Sequence, residues 1–296
     1  MSELSRLLQW YLPYVLVSSL VYGFTQDGLG YASPFTLMAA RYLIVASIFF
    51  ILVRRIDISR ESLIVAFLFS VSTLFWALGL EYVSTGDSAV LTFTMPLFSI
   101  PLAALIIGER IAFQNVAGAL IGFSGVLLYS STLSHGSLLL GAIYTLINAV
   151  LWAAGSVYYR KLRNRDPLPL LTAQFLLGSI PFLIGSAFFP KIQLTDGLLV
   201  DMAYLVVFGG VLQTFFWNSM LRVQSVARIT TFAFAVPAVT VFLQSVETSA
   251  LPPWTSVLGA TVMFLGIFVS SRGRMEQAPI VSEKATWTNP SGPSFD

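Results

Sequence analysis

Apolar runs of about 20 residues, the length that crosses a bilayer as a helix, follow one another along almost the whole chain. Ten can be placed, at 11–29, 34–53, 62–81, 87–107, 111–130, 137–159, 168–189, 197–220, 227–247 and 253–271. They are continuously apolar rather than alternating at every second residue, so they predict helices and not the strands of a membrane barrel. Composition agrees. Hydrophobic residues make up 56% of the 296 and charged residues 10%, against about 25% charged in a soluble domain. So little charge cannot cover a surface in water. A cytosolic enzyme, a secreted disulfide scaffold and a disordered regulator are excluded. The net charge of +2 gives no nucleic-acid signal, and the absence of cysteine removes thiolate metal sites.

Met1–Gln9 carries Glu3 and Arg6 and lacks the order of a cleaved signal peptide, so the first run is read as a span that stays. Orientation follows from Lys and Arg. One set of connections holds Arg6; Arg54, Arg55 and Arg60; Arg110; Arg160, Lys161, Arg163 and Arg165; Arg222 and Arg228; and Arg272, Arg274 and Lys284. These are 14 of the 16 basic residues; the opposite set holds Lys191 alone, and Arg41 falls inside a span. The positive-inside rule then places both termini in the cytoplasm of a multi-pass protein of the cell membrane. The tail 273–296, with Pro279, Pro290 and Pro293, is expected to be disordered and cytoplasmic.

The chain also repeats itself. Residues 63–131 laid on 204–272, an offset of 141, give sixteen identities in 69 positions, among them Trp76/Trp217, Pro96/Pro237, Gly118/Gly259 and Ser84/Ser225. A weaker match at offset 130 pairs Ser18, Tyr22 and Gln26 with Asn148, Trp152 and Ser156. The expected fold is an all-α integral membrane protein of ten transmembrane helices, built as two inverted five-helix repeats over 1–131 and 132–272. Five spans is an odd number, so the second repeat enters the membrane upside down. Inverted repeats are the construction of secondary transporters, because two similar halves can exchange conformations and open a central site to either side. Duplication is also simply a cheap route to a helix bundle.

The first repeat ends with Ser88–Ala89–Val90, then Met95–Pro96, then Ile107–Gly108–Glu109–Arg110, then Gly118, Gly122 and Gly125. This ordered set resembles the drug/metabolite transporter superfamily, specifically its EamA-type members, and Pro34 with Arg41 resembles the second helix of that family. The resemblance covers roughly 11–271. The second repeat departs from it: Glu247 falls three residues short of the position equivalent to Glu109, which Ala250 occupies. The resemblance implies ten helices, cytoplasmic termini, a central cavity lined mainly by the third, fourth, eighth and ninth helices with parts of the first, second, sixth and seventh, and export or exchange of amino acids and other small metabolites.

Polar groups are costly in lipid and tend to face the bundle interior, and residues four apart share one helix face. Ser18–Tyr22–Gln26, Ser72–Trp76, Asn148–Trp152–Ser156 and Gln213–Trp217 each put hydrogen-bonding groups and a ring on one face. Such faces suit a small-molecule pocket. The candidate substrate-binding residues are Tyr22, Gln26, Ser72, Trp76, Thr92, Asn148, Trp152, Gln213 and Trp217. The bland alternative is that the amides join helices and the tryptophans pack or sit at the lipid interface. Candidate structural or gating residues are Asp27, Arg41, Pro96 and Pro237. A buried guanidinium needs a partner: Asp27 is the nearest candidate for Arg41, Glu81 and Asp87 are others, and a substrate carboxylate is the functional alternative. Gln174 occupies the comparable place in the second repeat. Each proline removes a helix hydrogen bond, freeing the carbonyl of Thr92 or Ala233 for a hinge or a binding surface. Gly118 and Gly122 have the spacing of close helix contact, within the chain or between two copies, and Glu109–Arg110 reads as a loop salt bridge.

No cofactor is expected. The sequence lacks a phosphate-binding G-x-x-x-x-G-K-[ST] loop, and the lone His135 lies in an outer loop. The leading reading is a secondary transporter, an exporter of small metabolites such as amino acids, whose partners are a small-molecule substrate and the bilayer, with a homodimer left open. The rivals are a non-transporting scaffold, which predicts no central cavity, and an intramembrane enzyme acting on lipid, which predicts an acid, base and nucleophile at one depth.

Overall fold

A computed structural model describes residues 3–130, 138–247 and 254–272. The expected tail, His135 and Ala250 lie outside the described residues. The described chain is helical, and its only β-type pairing is an isolated bridge between Ala32 and Ile192. Helix α1 spans Glu3–Tyr31, α2 Pro34–Val53, α3 Arg60–Leu80, α4 Thr85–Thr92, α5 Pro96–Ile107, α6 Phe113–Ser130 and α7 Leu138–Lys161. Then follow α8 Pro167–Gly178, α9 Ile180–Phe188, α10 Asp196–Val206, a π-helical segment Val207–Leu212, α11 Gln213–Val223, α12 Val226–Phe232, α13 Ala235–Glu247 and α14 Trp254–Ser271. Six stretches among the described residues are long and apolar enough to cross a membrane: Pro34–Val53, Arg60–Leu80, Thr85–Ile107, Leu139–Lys161, Pro167–Phe188 and Asp196–Val223.

Four expected helices are interrupted. The run 87–107 becomes α4 and α5, 168–189 becomes α8 and α9, 197–220 passes through the π segment, and 227–247 becomes α12 and α13. Proline explains three of these breaks, at Pro96, Pro181 and Pro237, since it offers no N–H to the preceding turn. The freed carbonyls expected at Thr92 and Ala233 are not free. Met95 N–H donates to Thr92 O at 3.2 Å and Val236 N–H to Ala233 O at 3.0 Å. The chain tightens to three-residue spacing at each break and satisfies them. Both bonds sit at the same place in the 141-residue offset, as do two helix caps: Ser84 Oγ accepts from Asp87 N and Ser225 Oγ from Arg228 N.

Polarity runs outward-in, the reverse of a protein solvated by water. Leu12, Leu16, Ile51, Leu105, Phe113 and Leu139 are exposed, while Ser18, Ser72, Asn148, Thr172, Gln174 and Asn218 are buried. Helix α3 lies along α7, α2 along α8, and α6 along α14; α1 packs on α10, α11 and α13. Glycine sets the α6–α14 distance. A Cβ at Gly118 would stand 2.5 Å from Gly266 O, and one at Gly266 would stand 2.5 Å from Gly118 O. The glycine face of α6 is therefore taken up within the chain. Gly108, at φ 62°, ends α5 in the left-handed conformation that glycine adopts without strain. The turn sends Glu109 inward.

Candidate functional site

The α4–α5 break, the end of the π segment and several of the buried polar residues meet at one cavity. Its wall includes Tyr14, Ser18 and Tyr22 from α1, Arg41 and Tyr42 from α2, Phe69, Thr73 and Trp76 from α3, and Thr92 at the end of α4. Asn148 and Trp152 from α7, Gln174 and Phe175 from α8, and Gln213 and Thr214 from α11 close the other side. Its volume is about 70 Å³, room for a few waters. A larger solute enters only if the helices move apart.

Six of the nine expected binding residues line this wall: Tyr22, Trp76, Thr92, Asn148, Trp152 and Gln213. Rings dominate. Tyr22 meets Trp76 edge-on at 5.3 Å and 89°, and Trp152 meets Phe69 edge-on at 4.9 Å. Polar groups join helices behind the rings. Asn148 Nδ2 donates to Ser72 Oγ at 2.8 Å and to Ser72 O at 3.1 Å, Ser72 Oγ donates to Asn148 O at 2.9 Å, and Thr92 Oγ1 donates to Asn148 Oδ1 at 3.1 Å. On the other side Gln213 Nε2 donates to Ser18 Oγ at 3.0 Å.

The remaining three stand outside the wall. Ser72 is fully buried in its link to Asn148. Gln26 Nε2 reaches the carbonyls of Val83 at 3.3 Å and Leu80 at 3.5 Å, tying α1 to the end of α3. Trp217 is buried behind the wall, 5.2 Å from the Tyr14 ring, with Nε1 donating to Ser156 Oγ at 3.2 Å. Its repeat counterpart Trp76 lines the cavity, and Trp76 Nε1 has no partner among the described residues. Equivalent sequence positions therefore have unequal surroundings.

Arg41 forms no ion pair among the described residues. Asp27 is exposed at the end of α1, and neither it nor Glu81 nor Asp87 pairs with the guanidinium. Instead Arg41 Nη2 donates to Gly209 O in the π segment at 2.5 Å. Pro96 and Pro237 are buried at the helix breaks, next to the cavity residues Thr92, Phe93 and Met95 in the first case.

At the end of the bundle away from Asp27, charged groups bind the helices together. Arg165 pairs with Asp57 and with Glu61, each at 3.1 Å, and donates to Ser59 Oγ at 2.6 Å. Partial burial acts to raise the Asp57 carboxyl, but hydrogen bonds from Ser59 and Arg165 outweigh it and hold it below the ordinary aspartate value. Glu109 is 8% exposed, and its Oε2 accepts from Val226 N at 3.2 Å, at the start of α12. It is thus a cap on a distant helix rather than half of a loop salt bridge. Burial pushes its carboxyl above the ordinary glutamate value, against the pull of the Val226 N–H and of Arg160.

Several wall residues are missing from the sequence reading. Tyr14 extends the Ser18–Tyr22 spacing by one turn and was legible on that ground, whereas Tyr42, Phe69 and Phe175 look like any other core aromatic. Asp201 was also missed; it is 6% exposed in α10 with Oδ2 unpartnered, outside the cavity wall. A carboxylate inside an apolar run is itself the signal for it.

The family model of the EamA-like transporter family matches residues 8–131 and again 139–272. An "Uncharacterized transporter in sor 3'region" of Acidianus ambivalens is 40% identical over 79% of this chain and 92% of its own length. A "Probable amino-acid metabolite efflux pump" of Salmonella typhimurium is 23% identical over 88% of this chain and 93% of its own. A solved crystal structure superposes with a TM-score of 0.75 over 90% of this chain and 96% of that one, at 18% identity, which is a likeness of fold. The chain belongs to the EamA-like transporter family: it is a multi-pass membrane transporter and not an enzyme.

Proposed function

We propose that this protein is a secondary transporter, working as an exporter, of small organic metabolites with an apolar or aromatic part, such as amino acids. The observation that carries this reading is the cavity wall. It is built from both matched segments, with Tyr22 and Trp76 from one and Trp152 and Gln213 from the other. A scaffold has no need of such a chamber, and helix packing alone would have filled it.

In this reading the chain has ten spans arranged as two inverted five-helix repeats, 1–131 and 132–272, followed by a cytoplasmic tail, 273–296. Both termini are cytoplasmic, with the Arg165 cluster on the inner side and Lys191 on the outer. The matched breaks at Pro96 and Pro237, with equivalent hydrogen bonds and equivalent caps, support the repeat. Alternating access then consists of the two halves rocking about the cavity. The amino-acid preference rests on the aromatic wall and on the name of the distant Salmonella relative. A homodimer would use the outward faces of α6 and α14, because their glycine faces are engaged with each other.

The test is counterflow in proteoliposomes loaded with unlabelled amino acids, organic acids, nucleosides or sugars, with and without a pH gradient. Accumulation of labelled solute above protein-free liposomes is expected for at least one amino acid or organic acid. A folded protein that moves none of these compounds would contradict the proposal.

A further inference from the structure

The cavity wall contains a buried cation with no counter-charge among the described residues. Arg41 is 6% exposed and lines the cavity. A guanidinium carries five N–H donors. One from Nη2 goes to Gly209 O at 2.5 Å and one from Nη1 to Met38 Sδ at 3.9 Å, while Nε has no partner. Neither acceptor is charged, and the ion pairs seen among the described residues belong to Arg165.

The surroundings hold this group in place rather than neutralise it. Gly209 lies in the π segment, and a Cβ there would stand 3.0 Å from Val21 Cγ2 and 3.2 Å from Arg41 Nη2. The bare glycine backbone therefore brings a carbonyl dipole against the guanidinium. An isolated charge in a membrane interior is expensive, and those that are retained face a cavity or a partner. Gln174 shares the wall, is 3% exposed, and leaves Oε1 unpartnered. The wall thus offers an unfilled donor, an unfilled acceptor and the apolar faces of Trp76, Trp152 and Tyr22.

We propose that Arg41 is the specificity-determining anchor of the cavity and takes the carboxylate of a small organic acid or amino acid, whose apolar part lies against Trp76 and Trp152. The inference rests on the transporter reading for its biological sense. Guanidinium and carboxylate match as planar hydrogen-bonding partners, and the solute brings the counter-charge that Arg41 lacks among the described residues. Gln174 Oε1 then accepts from an ammonium or hydroxyl group on the same solute.

Binding to the purified full chain in detergent, read by thermal shift and by quenching of tryptophan fluorescence, tests this with matched pairs: phenylacetate against phenylacetamide, L-phenylalanine against L-phenylalaninamide, and L-leucine against L-leucinamide. The acids should bind about tenfold more tightly than the amides. Arg41→Gln should abolish that preference, and Arg41→Lys should keep it with weaker binding. Equal binding of acid and amide, binding of neither, or a preference that survives Arg41→Gln would overturn the anchor. If Arg41→Gln does not fold, Arg41→Lys decides, and an unchanged affinity for the acids counts against the proposal. Counterflow with the same pairs separates the two claims. Acid-selective binding without any transport defeats the transporter reading and leaves the anchor standing. Transport of amides as fast as acids does the opposite.

Discussion

Asn148 and Ser72 are joined by three hydrogen bonds, from Asn148 Nδ2 to Ser72 Oγ and O and from Ser72 Oγ to Asn148 O. The link joins α7 to α3, and so the second matched segment to the first. Its counterpart under the two repeat offsets is Ser18 with Gln213, which is joined by one bond of 3.0 Å. These two related clasps both join the matched segments, and the first carries more bonds than the second.

Breaking the two clasps should have unequal effects. Asn148→Ala removes the amide's bonds to Ser72 and Thr92, leaving only the bond from Ser72 Oγ to the residue-148 carbonyl, and should lower stability by about 1–2 kcal/mol. Gln213→Ala removes one bond and should lower it by about 0.5–1 kcal/mol. Denaturation in mixed micelles compares the two. Equal losses would mean that the difference in bonding has no energetic consequence.

Trp76 and Trp217 occupy matching positions and should respond differently. Trp76→Leu removes part of the cavity wall, so substrate binding should weaken about tenfold with little loss of stability. Trp217→Leu removes a buried ring and the bond to Ser156 Oγ, and should destabilise by about 3 kcal/mol. Measuring KM and melting temperature for both variants checks the split, which is refuted if Trp217→Leu changes only KM.

The contact between α6 and α14 should tolerate no side chain. At Gly118 an added Cβ meets Gly266 O at 2.5 Å and Ser270 N at 2.9 Å. These are backbone atoms, so the helices must separate. Gly118→Val should destabilise by about 1–3 kcal/mol, whereas Gly23→Ala, with no atom within 4 Å of the new Cβ, should leave packing unchanged. Melting of the two proteins side by side distinguishes a real contact from general intolerance of substitution.

Glu109 should give the protein a pH dependence. Burial raises its carboxyl above the unfolded value, so the folded state holds its proton over a range in which the unfolded state has released it. Stability contributed by this group is then present below the ordinary glutamate value and declines as pH rises through the raised one. Glu109→Gln keeps an acceptor for Val226 N–H and removes the ionisation. Melting temperature followed from acid to neutral pH should fall more steeply in the wild type than in the variant. A parallel pair of curves would rule this out.

Much of this architecture was open to reading before any coordinate. Apolar runs and the 141-residue repeat sufficed for helices and for membrane solvation, and the ordered set from Ser88 to Gly125 sufficed for the family. Proline marked the breaks at Pro96 and Pro237, because a missing N–H is a local property. The fate of the freed carbonyls was not local: whether Met95 and Val236 turn back to satisfy them depends on how the next helix is held.

The sequence by itself determined what lies along each helix, because lipid penalises polar groups and a four-residue spacing places them on one face. The tertiary structure alone decided what each face meets. Trp76 and Trp217 share one position in the repeat, yet Trp76 borders the cavity and Trp217 is sealed behind Tyr14 and Ser156. Arg41 was legible as a cation in an apolar run, but its lack of a carboxylate partner among the described residues was not. Helical periodicity specifies direction to within a turn, whereas a contact depends on which distant segment approaches, and here that segment is a glycine of the π segment 168 residues away.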